Sequence, residues 1–158
     1  MKWHDFLVTD AIIPELKATE RDEAMIEMVD ALVASGAAPA DMRDELIKQI
    51  IDREKHGSTG FGKGVAVPHV KHDRIEKMAA GIGVSQKGVD FNALDKAPVY
   101  SIVLLLSPKS KPDEHLQAME NIFSNLQKDT FRRFLRQSTT RAEIEDLIQE
   151  ADAQQLTG

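Results

Sequence analysis

One apolar segment constrains the fold of this chain more than any other feature. From Val99 to Leu106 nearly every residue is apolar, and several are β-branched. A strand buried on one face alternates apolar with polar residues, whereas a strand buried on both faces is a nearly continuous apolar run. Residues 99–106 are therefore predicted to form a central strand with other structure packed on both sides of the sheet.

Segments with helical periodicity lie on both sides of this strand in the sequence. Apolar residues recur at spacings of three and four over residues 24–33, 42–51 and 116–126. The second helix is predicted to begin near Pro39 and to end at Gly57. A helical turn over residues 131–135 and a final helix follow. The residues predicted to be buried on these first three helices and the turn are Ala24, Met25, Met28, Val29, Leu32, Val33, Met42, Leu46, Ile47, Ile50, Ile51, Leu116, Met119, Ile122, Phe123, Leu126, Phe131, Phe134 and Leu135.

Two kinds of local pattern, the capping box and the first-turn proline, mark where helices begin. Thr19 with Asp22 resembles a capping box for the first helix, and Thr140 with Glu143 forms one for the last. Pro112 is placed to start the third helix. Each pattern predicts a helix N-terminus within a residue or two.

Three shorter segments are predicted strands. Residues 11–16 contain Pro14, which restricts a strand there to an edge or an entry position. Residues 65–67 are stopped by Pro68, and residues 80–84 form a third segment. Helices at both ends with strands between them predict an α/β or α+β sandwich, with a central mixed β-sheet flanked by helices. We expect a single domain over residues 1–158, with its core from about residue 9 to residue 150.

Composition narrows the classes of function. Apolar residues make up 42% and charged residues 29% of the chain, which is ordinary globular usage and predicts a soluble protein. The net charge of −6 repels a phosphate backbone, so nucleic-acid binding is not expected. The chain has no cysteine, which suits a reducing compartment and excludes thiolate chemistry. No apolar run is long enough for membrane insertion and the start is unlike a signal peptide, so we expect a cytoplasmic protein.

A glycine-rich loop precedes the histidine that stands out in this sequence. Gly60, Gly62 and Gly64 alternate with other residues, so a loop with a demanding backbone is predicted there. His69 follows Pro68, which fixes the local backbone, and the N–H groups of the loop could face an anion. This arrangement suits a phosphoryl acceptor, although a histidine after a proline is also common as a simple turn residue.

Phosphoryl transfer to histidine needs few groups. A neutral imidazole keeps a lone pair that can attack phosphorus, and neither a metal nor a cofactor is required. Catalysis then depends on donors that stabilise the phosphoryl oxygens. Arg53, in the last turn of the second helix, and His115, in the first turn of the third, are the candidate donors.

The ordered stretch around these residues resembles a known family. It runs from Arg53-Glu54 through Ser58-Thr59-Gly60 and Gly62-Lys63-Gly64 to Ala66-Val67-Pro68-His69, and His115-Leu116 follows at the start of a helix. The pattern is similar to that of the enzyme IIA domains of the bacterial phosphotransferase system, of the fructose/mannitol type that includes the nitrogen-regulatory branch. The similarity extends from about residue 9 to residue 150. Phe61, Lys63 and Val70 depart from the commoner pattern.

The resemblance implies a function and a site. It implies that His69 carries a phosphoryl group as a phosphohistidine, that His115 and Arg53 line the same pocket, and that the donor is the phosphocarrier protein HPr or a paralogue. The recipient would be a IIB component in sugar transport, or the phosphorylation state would control binding to a target protein. The absence of a fused membrane or IIB domain mildly favours the regulatory branch. A non-catalytic regulatory binding module of the same fold is the alternative.

Other readings of the same residues are weaker. A dinucleotide fingerprint needs its glycines between a strand and a helix, whereas these glycines lead into a strand. No zinc-binding motif includes the histidines. His4, His56 and His72 are interpreted as solvated surface residues. The basic group Arg132, Arg133 and Arg136 is interpreted as a solvated helix face and is left out of the site.

Overall fold

The computed structural model describes residues 1–154, so the last four residues of the expected 1–158 domain lie outside the described part. A mixed sheet forms its centre. The strands over residues 1–154 are β1 (Leu7–Ile13), β2 (Val65–Ala66), β3 (His69–His72), β4 (Ala79–Val89) and β5 (Val99–Pro108). β5 lies between β4, which it pairs antiparallel, and an edge made of β2 followed by β3, both parallel to it. β1 pairs parallel with β4 at the opposite edge. The predicted central strand is thus confirmed.

Helices cover both faces of this sheet. They are α1 (Arg21–Ala34), α2 (Arg43–His56), α3 (Pro112–Leu126), α4 (Asp129–Gln137) and α5 (Arg141–Asp152), and 3₁₀ turns span Trp3–Asp5 and Ala40–Met42. Alternate side chains of β5 enter different cores. Ile102 and Leu104 pack with residues of α1 and α2, whereas Val103 and Leu105 pack with residues of α3, α4 and α5. This two-faced burial explains the continuous apolar run and confirms the predicted sandwich.

Several element boundaries follow the local signals. α1 ends just before Gly36, whose φ of +84° is a conformation that glycine adopts readily. α2 ends before Gly57, as predicted. The hydroxyl of Thr140 accepts a hydrogen bond from Glu143 N at 3.2 Å, which confirms the capping box of α5.

At the start of the chain two predictions were wrong. The strand predicted over 11–16 lies earlier and ends before Pro14, which has no N–H to donate to a ladder, although its edge position is confirmed. Thr19 does not cap α1. Its carbonyl accepts from Asp90 N at 2.8 Å, while Arg21 N donates to Asp90 O at 2.9 Å. Pairing with a distant segment therefore replaces the local cap.

The buried face of α3 is also rotated from the prediction. Leu116 is 60% exposed, and the side chain that turns inward is its neighbour His115. A hydrogen bond between His115 and Ser107 of β5 holds that ring inside. On α4, Phe134 is 44% exposed while Phe131 and Leu135 are buried. None of the helices in residues 1–154 combines the length and apolar character needed to cross a membrane.

Candidate functional site

His69 begins β3, directly after the proline that interrupts the sheet edge. Leu105 N donates to the Pro68 carbonyl at 3.0 Å, and His69 is in register with Leu105. The sequence predicted that the strand stops at Pro68, but pairing resumes after the proline, so the sheet edge holds the histidine. The ring is partly exposed.

A backbone carbonyl selects the tautomer of the His69 ring. Its Nδ1 lies 2.8 Å from the carbonyl oxygen of Val67. A carbonyl oxygen can only accept, so Nδ1 must carry the proton in this contact. In the neutral ring the lone pair is then on Nε2, which is the nitrogen available to attack an electrophile.

His115 faces His69 from the first turn of α3. The centroids of the two rings are 5.6 Å apart, and their planes make an angle of 48°. His115 is only 5% exposed, and Pro112 starts its helix in the first-turn position where a missing N–H does no harm. The structure therefore brings together two of the three predicted site residues, from segments 46 positions apart in the sequence.

Burial keeps the His115 ring neutral. It lowers the pKa of His115 from the ordinary 6.5 to about 4, and the nearby charges of His69 and Lys71 act in the same direction. At neutral pH the ring consequently carries a single N–H and no net charge. It can donate one hydrogen bond without adding a buried cation.

Ser107 determines which nitrogen of His115 carries that proton. Its hydroxyl is fully buried and lies 2.7 Å from His115 Nδ1. A buried hydroxyl that does not donate costs about 1–3 kcal/mol. Within residues 1–154, Nδ1 is the partner that the structure provides for this hydroxyl. Ser107 therefore donates to Nδ1, and the proton of His115 is on Nε2. One ring of the pair offers a lone pair and the other offers an N–H.

Arg53 lies in the last turn of α2, as predicted, and the contact that its side chain makes in the structure is with the backbone. Its guanidinium donates to the carbonyl oxygen of Gly57 at 2.8 Å, which satisfies a free carbonyl at the end of the helix. Among the hydrogen bonds of residues 1–154, none joins Arg53 to either histidine ring. Its participation in the site remains a prediction.

Glu54, the neighbour of Arg53, is a residue whose importance the sequence reasoning missed. Its buried carboxylate accepts from Thr59 N, at 3.2 and 3.1 Å from its two oxygens, and from the Thr59 hydroxyl. Gly60 N donates to the Ser58 hydroxyl at 3.0 Å. These two N–H groups therefore bind partners within the same segment and are not free to bind a phosphoryl group. The sequence contained Glu54 as part of the Arg53-Glu54 pair of the motif, but nothing in its immediate neighbours indicated a buried carboxylate.

The remaining histidines lie apart from this pair. His4 and His56 are exposed, as interpreted from the sequence. His72 is not a solvated residue, since its side chain is only 11% exposed, accepts from Arg74 N and contacts Glu45 at 3.1 Å. Within residues 1–154, no group of three or more histidine or carboxylate side chains is arranged to hold a metal ion.

Comparisons with known proteins agree with this fold. A nitrogen regulatory protein of Bradyrhizobium diazoefficiens is 32% identical over 136 residues, which cover 85% of this chain and 86% of the relative. A fructose-specific EIIABC component of Bacillus subtilis is 28% identical over 152 residues, and the chain spans 96% of its own length but only 24% of that relative. The crystal structure of nitrogen regulatory protein IIA-Ntr from Neisseria meningitidis superposes with a TM-score of 0.82 at 24% identity, covering 90% of this chain and 96% of that one.

The family match and the nitrogen-regulatory relative define the class of the protein as a phosphocarrier of the phosphotransferase system. The family model described as "Phosphoenolpyruvate-dependent sugar phosphotransferase system, EIIA 2" matches residues 5–151. The chain belongs to this EIIA 2 family.

Proposed function

We propose that the chain is a phosphohistidine relay protein that accepts a phosphoryl group on Nε2 of His69 and passes it on. One observation carries the proposal: the carbonyl of Val67 occupies Nδ1 of His69, while the ring faces His115 at 5.6 Å. The nitrogen that keeps its lone pair is thus beside a neutral N–H donor.

The transfer itself needs little movement of protons. The Nε2 lone pair of His69 attacks phosphorus and forms a new P–N bond, while the P–N bond of the donor's phosphohistidine breaks and its electron pair returns to the donor ring. The proton of His69 stays bonded to Nδ1 throughout and is donated to the Val67 carbonyl. The reverse sequence delivers the phosphoryl group to the next acceptor.

His115 stabilises the phosphorylated ring in this scheme. Its Nε2–H donates to a phosphoryl oxygen, a charge-assisted hydrogen bond that is stronger than a neutral one. Arg53 adds a second donor if it leaves Gly57, since its planar guanidinium can bind two oxygens at once. The negative phosphoryl group should also raise the pKa of His115 towards its ordinary value.

Membership of the family supports a proposal for the partners of the relay. We propose an HPr-like phosphocarrier protein as the donor, and a IIB component or a regulated target protein as the recipient. The Bradyrhizobium diazoefficiens relative, which is matched over most of its length, is named a nitrogen regulatory protein, and this favours the regulatory branch. The Bacillus subtilis relative combines A, B and C components in its name, which supports a IIB recipient for the transport branch. In either branch we propose that residues 1–158 act as one domain.

The test is phosphorylation by purified HPr that has itself been phosphorylated. We expect wild type to gain one phosphate that is acid-labile and base-stable, His69→Ala to gain none while remaining folded, and the exposed-histidine control His56→Ala to behave like wild type. A wild-type protein that gains no phosphate would instead support the non-catalytic binding module of the same fold.

A further inference from the structure

A cavity of about 560 Å³ opens beside α4, away from the histidine pair. Its wall includes Ser101, near the start of β5, whereas His69 is in register with Leu105. Four residues of strand separate these positions by about 13 Å. The cavity volume lies within the range of roughly 300–1,000 Å³ that is usual for small-molecule sites. It is therefore a separate pocket large enough for a small ligand.

The lining of the cavity is strongly basic. Lys63, Arg132, Arg133 and Arg136 line it together with a single carboxylate, Asp129, although the whole chain carries a net charge of −6. Asp129 is already paired, at 3.3 Å with Arg132 and at 3.7 Å with Arg133. Among the ion pairs of residues 1–154, none includes Lys63 or Arg136. Two cations thus face the cavity without a counter-charge.

Arg136 is held in place by packing and not by a carboxylate. Its guanidinium lies over the ring of Tyr100, 3.5 Å from the ring centroid. The Tyr100 ring packs closely against two glycines. A Cβ atom would lie only 3.2 Å from the ring at Gly64 and 3.1 Å from it at Gly88. Stacking uses the face of a guanidinium and leaves its edge N–H groups free to donate in the ring plane. The donors of Arg136 are therefore fixed before any ligand binds.

Lys63 occupies a backbone position that does not suit a lysine. Its φ is +61°, a left-handed conformation that favours glycine or asparagine over a long side chain. It lies between Gly62 and Gly64, which also have positive φ angles. Strained backbone conformations of this kind cluster at active sites and ligand-binding sites. The position of Lys63 on the cavity wall supplies such a use for its amino group.

We propose that this cavity binds a small molecule bearing a di- or triphosphate group, with Lys63 and Arg136 as its principal contacts. Several cations spaced along one wall fit an anion whose charge is distributed over linked phosphates better than a single carboxylate. Guanidinium forks match phosphate oxygens in geometry. Arg132 is held in place by the Leu126 carbonyl, to which it donates at 2.8 Å, and by Asp129, so it lines the wall without adding an unpaired charge.

Calorimetric titration with pyrophosphate tests this proposal on the unphosphorylated protein. We expect saturable binding at one site, weakened at least about tenfold in Arg136→Gln and in Lys63→Asn. Lys63→Asn should also melt at a higher temperature than wild type, because asparagine relieves the backbone strain while removing the charge. The matched control is Arg74→Gln, which removes an arginine paired with Asp41 near the far end of β5, and its affinity should equal that of wild type.

Three results would overturn the proposal. The first is the absence of saturable heat when wild type is titrated with pyrophosphate. The second is an equal loss of affinity in Arg74→Gln and in Arg136→Gln, which would show that the location of the positive charge does not matter. The third is preferential binding of polyglutamate that depends on Lys63 and Arg136, because this would assign the basic wall to an acidic protein partner.

Discussion

At the scale of single residues, hydrogen-bond partners assign opposite roles to two chemically identical rings. The Val67 carbonyl places the proton of His69 on Nδ1, and the Ser107 hydroxyl places the proton of His115 on Nε2. When both rings are neutral, the pair is one acceptor and one donor. The chemistry of the histidine side chain alone does not assign either role, because each neutral ring can carry its proton on either nitrogen.

The role of Ser107 can be tested by removing its hydroxyl. Ser107→Ala leaves His115 Nδ1 without a donor, so the proton of His115 should distribute over both nitrogens. We expect phosphoryl transfer from HPr to slow by about 3–10-fold, equivalent to roughly 1 kcal/mol, with the fold retained. Ring ¹⁵N chemical shifts should report the altered His115 proton in the unphosphorylated protein. Ser101→Ala, a buried serine on the same strand, serves as the control. Unchanged shifts and rates in Ser107→Ala would contradict the assigned role.

The sequence nominated both histidines as site residues but did not indicate the groups that set their protonation. His69 and His115 could be proposed because they lie in an ordered motif. Ser107 and the Val67 carbonyl were not, because a serine inside an apolar strand and a backbone oxygen carry no local signal of function. Their effect arises only once β5, β3 and α3 are packed together.

At the scale of elements, local signals placed the helices well and failed where distant segments compete. Gly57 and the Thr140 capping box predicted helix ends correctly. The cap at Thr19 failed because pairing with Asp90 takes its place, and the buried face of α3 was misjudged because Ser107 holds His115 inside. β3 was missed since a proline usually ends a strand, and four residues after Pro68 carry little periodicity.

A substitution of Arg53 tests whether the end of α2 contributes to phosphoryl transfer. Arg53→Lys keeps the positive charge near the helix C-terminus, worth about 0.3–1 kcal/mol, but loses the planar fork. We expect a melting temperature like that of wild type and phosphate acceptance from HPr at least about tenfold slower, which is roughly 1.4 kcal/mol in the barrier. Wild-type kinetics in this folded variant would limit Arg53 to its observed contact with Gly57.

At the scale of the whole molecule, the two ends of the described chain are joined and the site is built into the core. Trp3 N and His4 N donate to the carboxylate of Asp152 at 2.8 and 3.0 Å, and Trp3 is fully buried against Phe131. His115 lies inside the same sandwich. Its protonation should therefore be coupled to the stability of the fold.

This coupling predicts a pH dependence of unfolding. The pKa of His115 is about 4 in the folded protein and ordinarily 6.5, so between these values the unfolded chain binds a proton that the folded state does not. The free energy of unfolding should fall as pH drops from 6.5 towards 4, by an amount on the order of 1–3 kcal/mol. Urea titrations followed by Trp3 fluorescence measure it. His115→Asn should lose this part of the pH dependence, and an identical pH profile in that variant would contradict the burial argument.

The central claim is that the phosphoryl group resides on Nε2 of His69, and NMR of the phosphorylated protein tests it most directly. Protein labelled with ¹⁵N in its histidines would be phosphorylated by phospho-HPr, and the ring nitrogens and ³¹P would be observed. We predict that the phosphorus couples to Nε2 of His69, that Nδ1 of that ring keeps its proton and donates it to the Val67 carbonyl, and that His69→Ala shows no such signal. A phosphoryl group on Nδ1, or on another histidine, would contradict the account.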